Sequence, residues 1–155
     1  MLPRIRPILI TRNGLALAPW IVGIELNSME HPQPLRILVV DDHHDGAEAL
    51  GMSLQHLGCD VRLTQSGEEA IEVAPAFAPQ LVILDLNMPA GIDGYQTAAE
   101  LKKQTWSSNA TFVAHTGSTD SSLAEDVKKA GFGYLIRKPA RTSAFEELIT
   151  AVRAK

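Results

Sequence analysis

The chain is poor in cysteine: Cys59 is the only one, so no internal disulfide can form. That fits a reducing compartment, with the cytoplasm as the expected location, and makes Cys59 a small buried hydrophobe. It also lacks any apolar run long enough to span a bilayer, which excludes insertion through a hydrophobic helix. Strong charge is missing as well. A net charge of −4 leaves no basic footprint, so direct binding to nucleic acid is not expected. Nothing repeats internally and nothing is low in complexity. What remains is a chain of 155 residues, 45% of them apolar, which suits one domain with an ordinary core.

Residues 1–34 differ from the remainder of the chain. They hold Pro3, Pro7, Pro19, Pro32 and Pro34 and carry no clear period. Arg4, Arg6 and Arg12 precede the apolar stretch Leu15 to Leu26, which raises a signal peptide. Pro19 interrupts that stretch, however, and no small-residue cleavage site comes cleanly after it. The alternative is a true start at Met29, with a short polar lead before the first strand. Residues 1–34 are therefore read as an N-terminal tail, disordered or from a mis-assigned start, and residues 35–155 as the domain.

From Leu35 strands and helices alternate. Expected strands are Arg36–Val40, Asp60–Thr64, a run ending at Asp85, Thr111–His115 and Tyr134–Ile136. Expected helices are Gly46–Leu57, Ser66 to about Ala74, Tyr95–Gln104, Ser122–Ala130 and one beginning near Ser143. Capping boxes are expected at Asp45/Glu48, Ser66/Glu69 and Ser143/Glu146, and Pro75 is expected to limit the second helix. Five strands alternating with five helices predict an α/β fold, a doubly wound parallel sheet with helices on both faces.

The chemistry gathers at strand ends. Leu81-Val82-Ile83-Leu84 is a short apolar run that stops on Asp85, and a lone buried carboxylate is costly, so Asp85 should sit at the rim of the sheet. Ligands bind at that rim in open α/β sheets. Asp41-Asp42, Thr116 and Lys138-Pro139 each come after another strand. Each is weak alone, since Asp caps helices and Asp and Pro mark turns. Together they offer carboxylates for a divalent cation, a hydroxyl and an ammonium for a phosphoryl group, and a carboxylate nucleophile. Mg²⁺ would relieve the repulsion of Asp41, Asp42 and Asp85. His43 and His44 follow the acid pair, which opens a metal role, but they face apart at their spacing in any helix and read rather as surface residues. His115 reads as a packing residue, and Trp106 as a partner contact or a lid on the core.

Ile37-Leu38-Val39-Val40-Asp41-Asp42, Leu84-Asp85-Leu86-Asn87-Met88-Pro89, Asp93-Gly94-Tyr95, Thr116-Gly117 and Lys138-Pro139 stand in an order that closely resembles the receiver domain of two-component response regulators. The resemblance implies a flavodoxin-like (βα)5 fold with strand order 2-1-3-4-5. It implies Asp85 as phosphoacceptor, and Mg²⁺ held by Asp42, Asp85 and the backbone carbonyl of Asn87, with Asp41 helping. Thr116 and Lys138 would contact the phosphoryl group, with a cis bond at Lys138–Pro139. The implied donor is a phosphohistidine on a sensor histidine kinase or phosphotransfer protein. The implied output is a changed face for a downstream protein target. The expected function is that of a single-domain regulator, catalysing no more than its own phosphorylation and slow dephosphorylation.

Two features depart from the family pattern. The segment Met88 to Gly94 is one residue longer than usual, with the extra residue near Gly91. Leu135 stands where the family tends to place an aromatic residue that reports phosphorylation, and Tyr134 falls on the other face of the strand. A phosphohydrolase of the haloacid dehalogenase type also forms an aspartyl phosphate, but on Asp-x-Asp at the first strand, where this chain has Asp41-Asp42-His43. A degenerate receiver used only for docking is opposed by the full set of five phosphorylation positions.

Overall fold

A computed structural model describes residues 9–11, 14–16 and 33–155. Strands β1 (Leu9–Thr11) and β2 (Gly14–Ala16) pair antiparallel as a unit apart from residues 34–155. They fall inside the stretch expected to lack structure. Most of the apolar stretch Leu15–Leu26 and the candidate start at Met29 lie outside the described residues.

Residues 34–155 alternate β3 (Arg36–Val40), α1 (His44–His56), β4 (Asp60–Thr64), α2 (Gly67–Phe77), β5 (Leu81–Leu84), α3 (Gly94–Lys102), β6 (Thr111–Thr116), α4 (Leu123–Lys129), β7 (Tyr134–Arg137) and α5 (Thr142–Arg153). All five strands run parallel in the order β4-β3-β5-β6-β7. Counted from β3, that is the expected 2-1-3-4-5. Every residue of β5 is buried, as its unbroken apolar run requires of a central parallel strand.

The two-residue period of the strands splits the core. Leu38, Val40, Val82, Leu84, Phe112 and Ala114 face α2, α3 and α4, where Ala70, Ala74, Ala98, Leu101 and Val127 complete one cluster. Ile37, Val39, Leu81, Ile83 and Val113 face α1 and α5, packing against Leu54, Phe145, Leu148 and Ile149. Leu135 joins the first cluster and Tyr134 the second, so the two residues do take opposite faces. Cys59 is buried, and burial pushes its thiol up. Trp106 lies in a short 3-10 helix, Thr105–Asn109, and packs against the first cluster as a lid.

Four local expectations need correction. Helix α2 runs on through Pro75 to Phe77. A proline there cannot donate to the carbonyl of Ile71, and the side-chain amide of Gln104 donates to that oxygen instead, at 3.3 Å. Helix α1 starts at His44, with Ala47 N donating to His43 O, so Asp45 sits within the first turn and does not cap. Helix α5 starts at Thr142 after an extended Arg141, whose carbonyl accepts from Ala144 N at 3.0 Å, so Ser143 sits inside the first turn and does not cap. At α2, Ser66 does accept from Glu69 N, but the Glu69 carboxylate takes the amide of Gln65 and not that of Ser66.

Candidate functional site

Hydrogen bonding continues past the strand ends and sets the level of the acids. Asp41 N donates to Thr64 O at 3.1 Å, and Asp85 N donates to Val40 O at 2.9 Å. Asp41 and Asp85 therefore leave adjacent strands side by side. Both are buried, while Asp42 keeps about a quarter of its side chain in solvent. Across the sheet, Thr116 ends β6 opposite Arg137, and Lys138 N donates to Thr116 O at 2.9 Å. Thr116 is fully buried, and its Oγ1 accepts from Ser118 N at 3.3 Å.

Lys138 closes the group. Its Nζ lies 2.7 Å from Asp41 Oδ2 and 3.3 Å from Asp85 Oδ2. The Lys138–Pro139 bond is cis. Burial by itself lowers the lysine, but the hydrogen bond and charge of Asp41, joined by Asp85, outweigh it and hold the ammonium above its ordinary range. Burial pushes Asp85 up. The Asn87 amide, donating to Asp85 Oδ1 at 3.0 Å, and the Lys138 ammonium oppose that rise, whereas the charge of Asp41 adds to it. The lysine thus offsets part of a carboxylate crowd that would otherwise be expensive to bury.

Gly94, the first residue of α3, explains the Asp-Gly pair of the motif. A Cβ there would lie 2.3 Å from Asp85 O and 2.7 Å from Leu86 Cα. Only glycine lets the start of α3 press against the backbone of the central acid. Asp93 Oδ1 caps that helix by accepting from Gln96 N, and Asp93 N donates in return to Gln96 Oε1. The loop before it is pinned: Gly91 adopts φ +81, and Ile92 N donates to the Glu68 carboxylate at 3.1 Å.

The donor set suits a hard divalent cation. Among the described residues, Asp41, Asp42, His43 and Asp85 each offer an atom, and these atoms lie within 4.8 Å of one another. Oxygen–cation distances near 2.1 Å bring opposed ligands about 4.2 Å apart, so small adjustments would let the acids share one ion. Asn87 comes two residues after Asp85, at the same end of the sheet. His43 is a surface residue, as expected, but its ring turns toward the acids. His44 turns away to Gln65 and Glu48. No signal in the sequence separated the two. His115 packs edge-on against Phe145, as a packing residue should, with ring centres 5.3 Å apart. A cleft of about 990 Å³ opens from the acids between α1 and the start of α5, lined by Asp42, His43, Leu50, His115, Lys138 and Phe145.

This geometry agrees with sequence comparison. The model of the response regulator receiver domain matches residues 37–153. The chain belongs to the response regulator receiver family. The receiver is 30% identical over 120 residues to the hybrid signal transduction histidine kinase L of Dictyostelium discoideum, covering 74% of this chain and 7% of that protein. It is 30% identical over 112 residues to the nitrate/nitrite response regulator protein NarL of Escherichia coli K12, covering 70% of this chain and 50% of that one. The chain thus spans half or less of the length of these curated relatives. In fold, the receiver superposes on the chemotaxis protein CheY4 of Vibrio cholerae with a TM-score of 0.72, covering 77% of this chain and 98% of that chain at 22% identity. Among the described residues, no helix is long and apolar enough to cross a membrane.

Proposed function

We infer that this receiver accepts a phosphoryl group on Asp85 and signals by a phosphorylation-dependent change of its partner face. The observation that carries the reading is Lys138 Nζ bridging Asp41 Oδ2 and Asp85 Oδ2 at the sheet rim. An Asp85 carboxylate oxygen attacks the phosphorus of a phosphohistidine. The P–N bond breaks, and the departing imidazole keeps the electron pair and takes a proton. Lys138 neutralises charge on the phosphoryl oxygens, and Thr116 donates its hydroxyl to one of them. Asp41, Asp42, Asp85 and the backbone carbonyl of Asn87 are the residues to hold Mg²⁺. That ion, when bound, offsets charge between carboxylate and phosphoryl oxygens.

The donor is a sensor histidine kinase or a phosphotransfer protein, and kinases and regulators among the relatives support that class. The receiver is a phosphoacceptor that works in the cytoplasm and not an enzyme acting on other substrates. Phosphorylation adds charge and acceptor oxygens beside Thr116. Thr116 then draws in the loop toward α4, and α4, β7 and α5 form the face that a downstream protein reads. Leu135 can pack inward but has no hydroxyl to gain a hydrogen bond, so Thr116 carries most of the coupling.

Intact mass after incubation with a small-molecule phosphodonor tests the reading. One phosphoryl group is expected in the presence of Mg²⁺, none after chelation, and none in Asp85→Asn. Equal modification of Asp85→Asn would overturn it.

A further inference from the structure

The imidazole of His43 is the part of the cluster that a Mg²⁺ site does not need. His43 is the N-cap of α1, with extended backbone at φ −85 and ψ 97, and its side chain caps nothing. Its own amide donates to Asp41 Oδ1 at 2.9 Å, which anchors the residue against the acids. Its Nδ1 then lies 3.1 Å from Asp42 Oδ1 and 3.6 Å from Asp41 Oδ1. His44, one residue on and already helical, is directed elsewhere: its Nδ1 faces Gln65 Nε2 at 2.8 Å and its Nε2 faces Glu48 at 3.4 Å. The change from extended to helical backbone between the two histidines is what sends one ring to the acids and the other away.

A ring nitrogen this near two carboxylate oxygens can share whatever cation those oxygens hold. The His43 side chain is 78% exposed, so turning its lone pair inward costs little desolvation. Mg²⁺ draws little from such a donor, because it prefers oxygen and dehydrates reluctantly. Later first-row cations bind imidazole well and obey a rising affinity order.

We propose that His43 is a further protein ligand of the divalent-cation site, so that this receiver binds nitrogen-accepting first-row transition cations with an affinity raised by its imidazole. The proposal rests on the assignment of Asp41, Asp42 and Asp85 to a cation.

The test uses the full chain with three variants. Pulsed electron paramagnetic resonance of bound Mn²⁺ should show nitrogen modulation in wild type and in His44→Ala, and none in His43→Ala. Calorimetric titration with Co²⁺ and Mg²⁺ should show His43→Ala weakening Co²⁺ by about tenfold or more while changing Mg²⁺ by less than about twofold. Cation binding through Asp42 without a nitrogen signal, or with both cations weakened alike, would overturn the role of His43 alone. Mn²⁺ and Mg²⁺ binding untouched by Asp42→Ala would instead overturn the carboxylate site, and the proposal with it.

Discussion

Replacing His115 with phenylalanine should flatten part of the acid sensitivity of the fold. His115 packs edge-on against Phe145, and its Nε2 is buried with no hydrogen-bond partner among the described residues. Burial pulls the imidazole down to about 4, the Lys138 ammonium adds to the fall, and Asp41 opposes it. The folded state thus keeps His115 neutral through a range in which the unfolded chain, near 6.5, takes up a proton. Stability from this group is complete above pH 6.5. It is lost as pH falls toward 4, with no further loss below that. Applying the linkage relation between pH 7 and pH 5, the loss is about 2 kcal/mol. Urea unfolding at both pH values gives the difference directly, provided the slope with urea is unchanged. Wild type should lose about 2 kcal/mol more than His115→Phe. The baseline cost of the larger ring cancels, because each protein is compared with itself. Equal losses in the two proteins would refute the claim that this half-buried imidazole resists protonation.

Three other substitutions probe the site and its frame. Gly94→Ala should destabilise the fold by about 3 kcal/mol, because the new Cβ meets the backbone of Asp85 and Leu86, and chemical denaturation measures it. Asp42→Ala should weaken Mg²⁺ by at least about tenfold in a calorimetric titration, since Mg²⁺ tolerates ligand loss poorly; affinity within about twofold of wild type would remove Asp42 as a direct ligand. Gln104→Leu should cost about 1 kcal/mol by urea unfolding, leaving the Ile71 carbonyl without the donor that compensates for Pro75.

The strand ends were legible because burial is costly for a carboxylate. An apolar run such as Leu81–Leu84 that stops on Asp85 has to deliver the acid to an edge of the sheet. The order of Asp41-Asp42, Asp85, Thr116 and Lys138 along an alternating chain then placed them at one end. Local rules failed where a distant residue or packing intervened. Pro75 reads as a helix stop until Gln104, 29 residues on, is found donating to the orphaned carbonyl of Ile71. Asp45 and Ser143 have good capping chemistry, but the backbone turns helical earlier, after His43 and Arg141, and neither end uses a side-chain cap. The divergence of His43 and His44 depends on where α1 begins, so an expected start two residues late favoured a surface role for both over a metal role for His43. Glu68 likewise reaches Ile92 across 24 positions, a contact no sequence period marks.

The central claim is that Asp85 carries the phosphoryl group. Borohydride reduces an aspartyl phosphate to homoserine, so treating the phosphorylated chain and sequencing its peptides by mass spectrometry locates the acyl phosphate. The account predicts homoserine at position 85 and at no other acid, dependent on both Mg²⁺ and the phosphodonor. Homoserine at position 41 or 42, or an unreduced Asp85 in a chain that has gained phosphate, would contradict it.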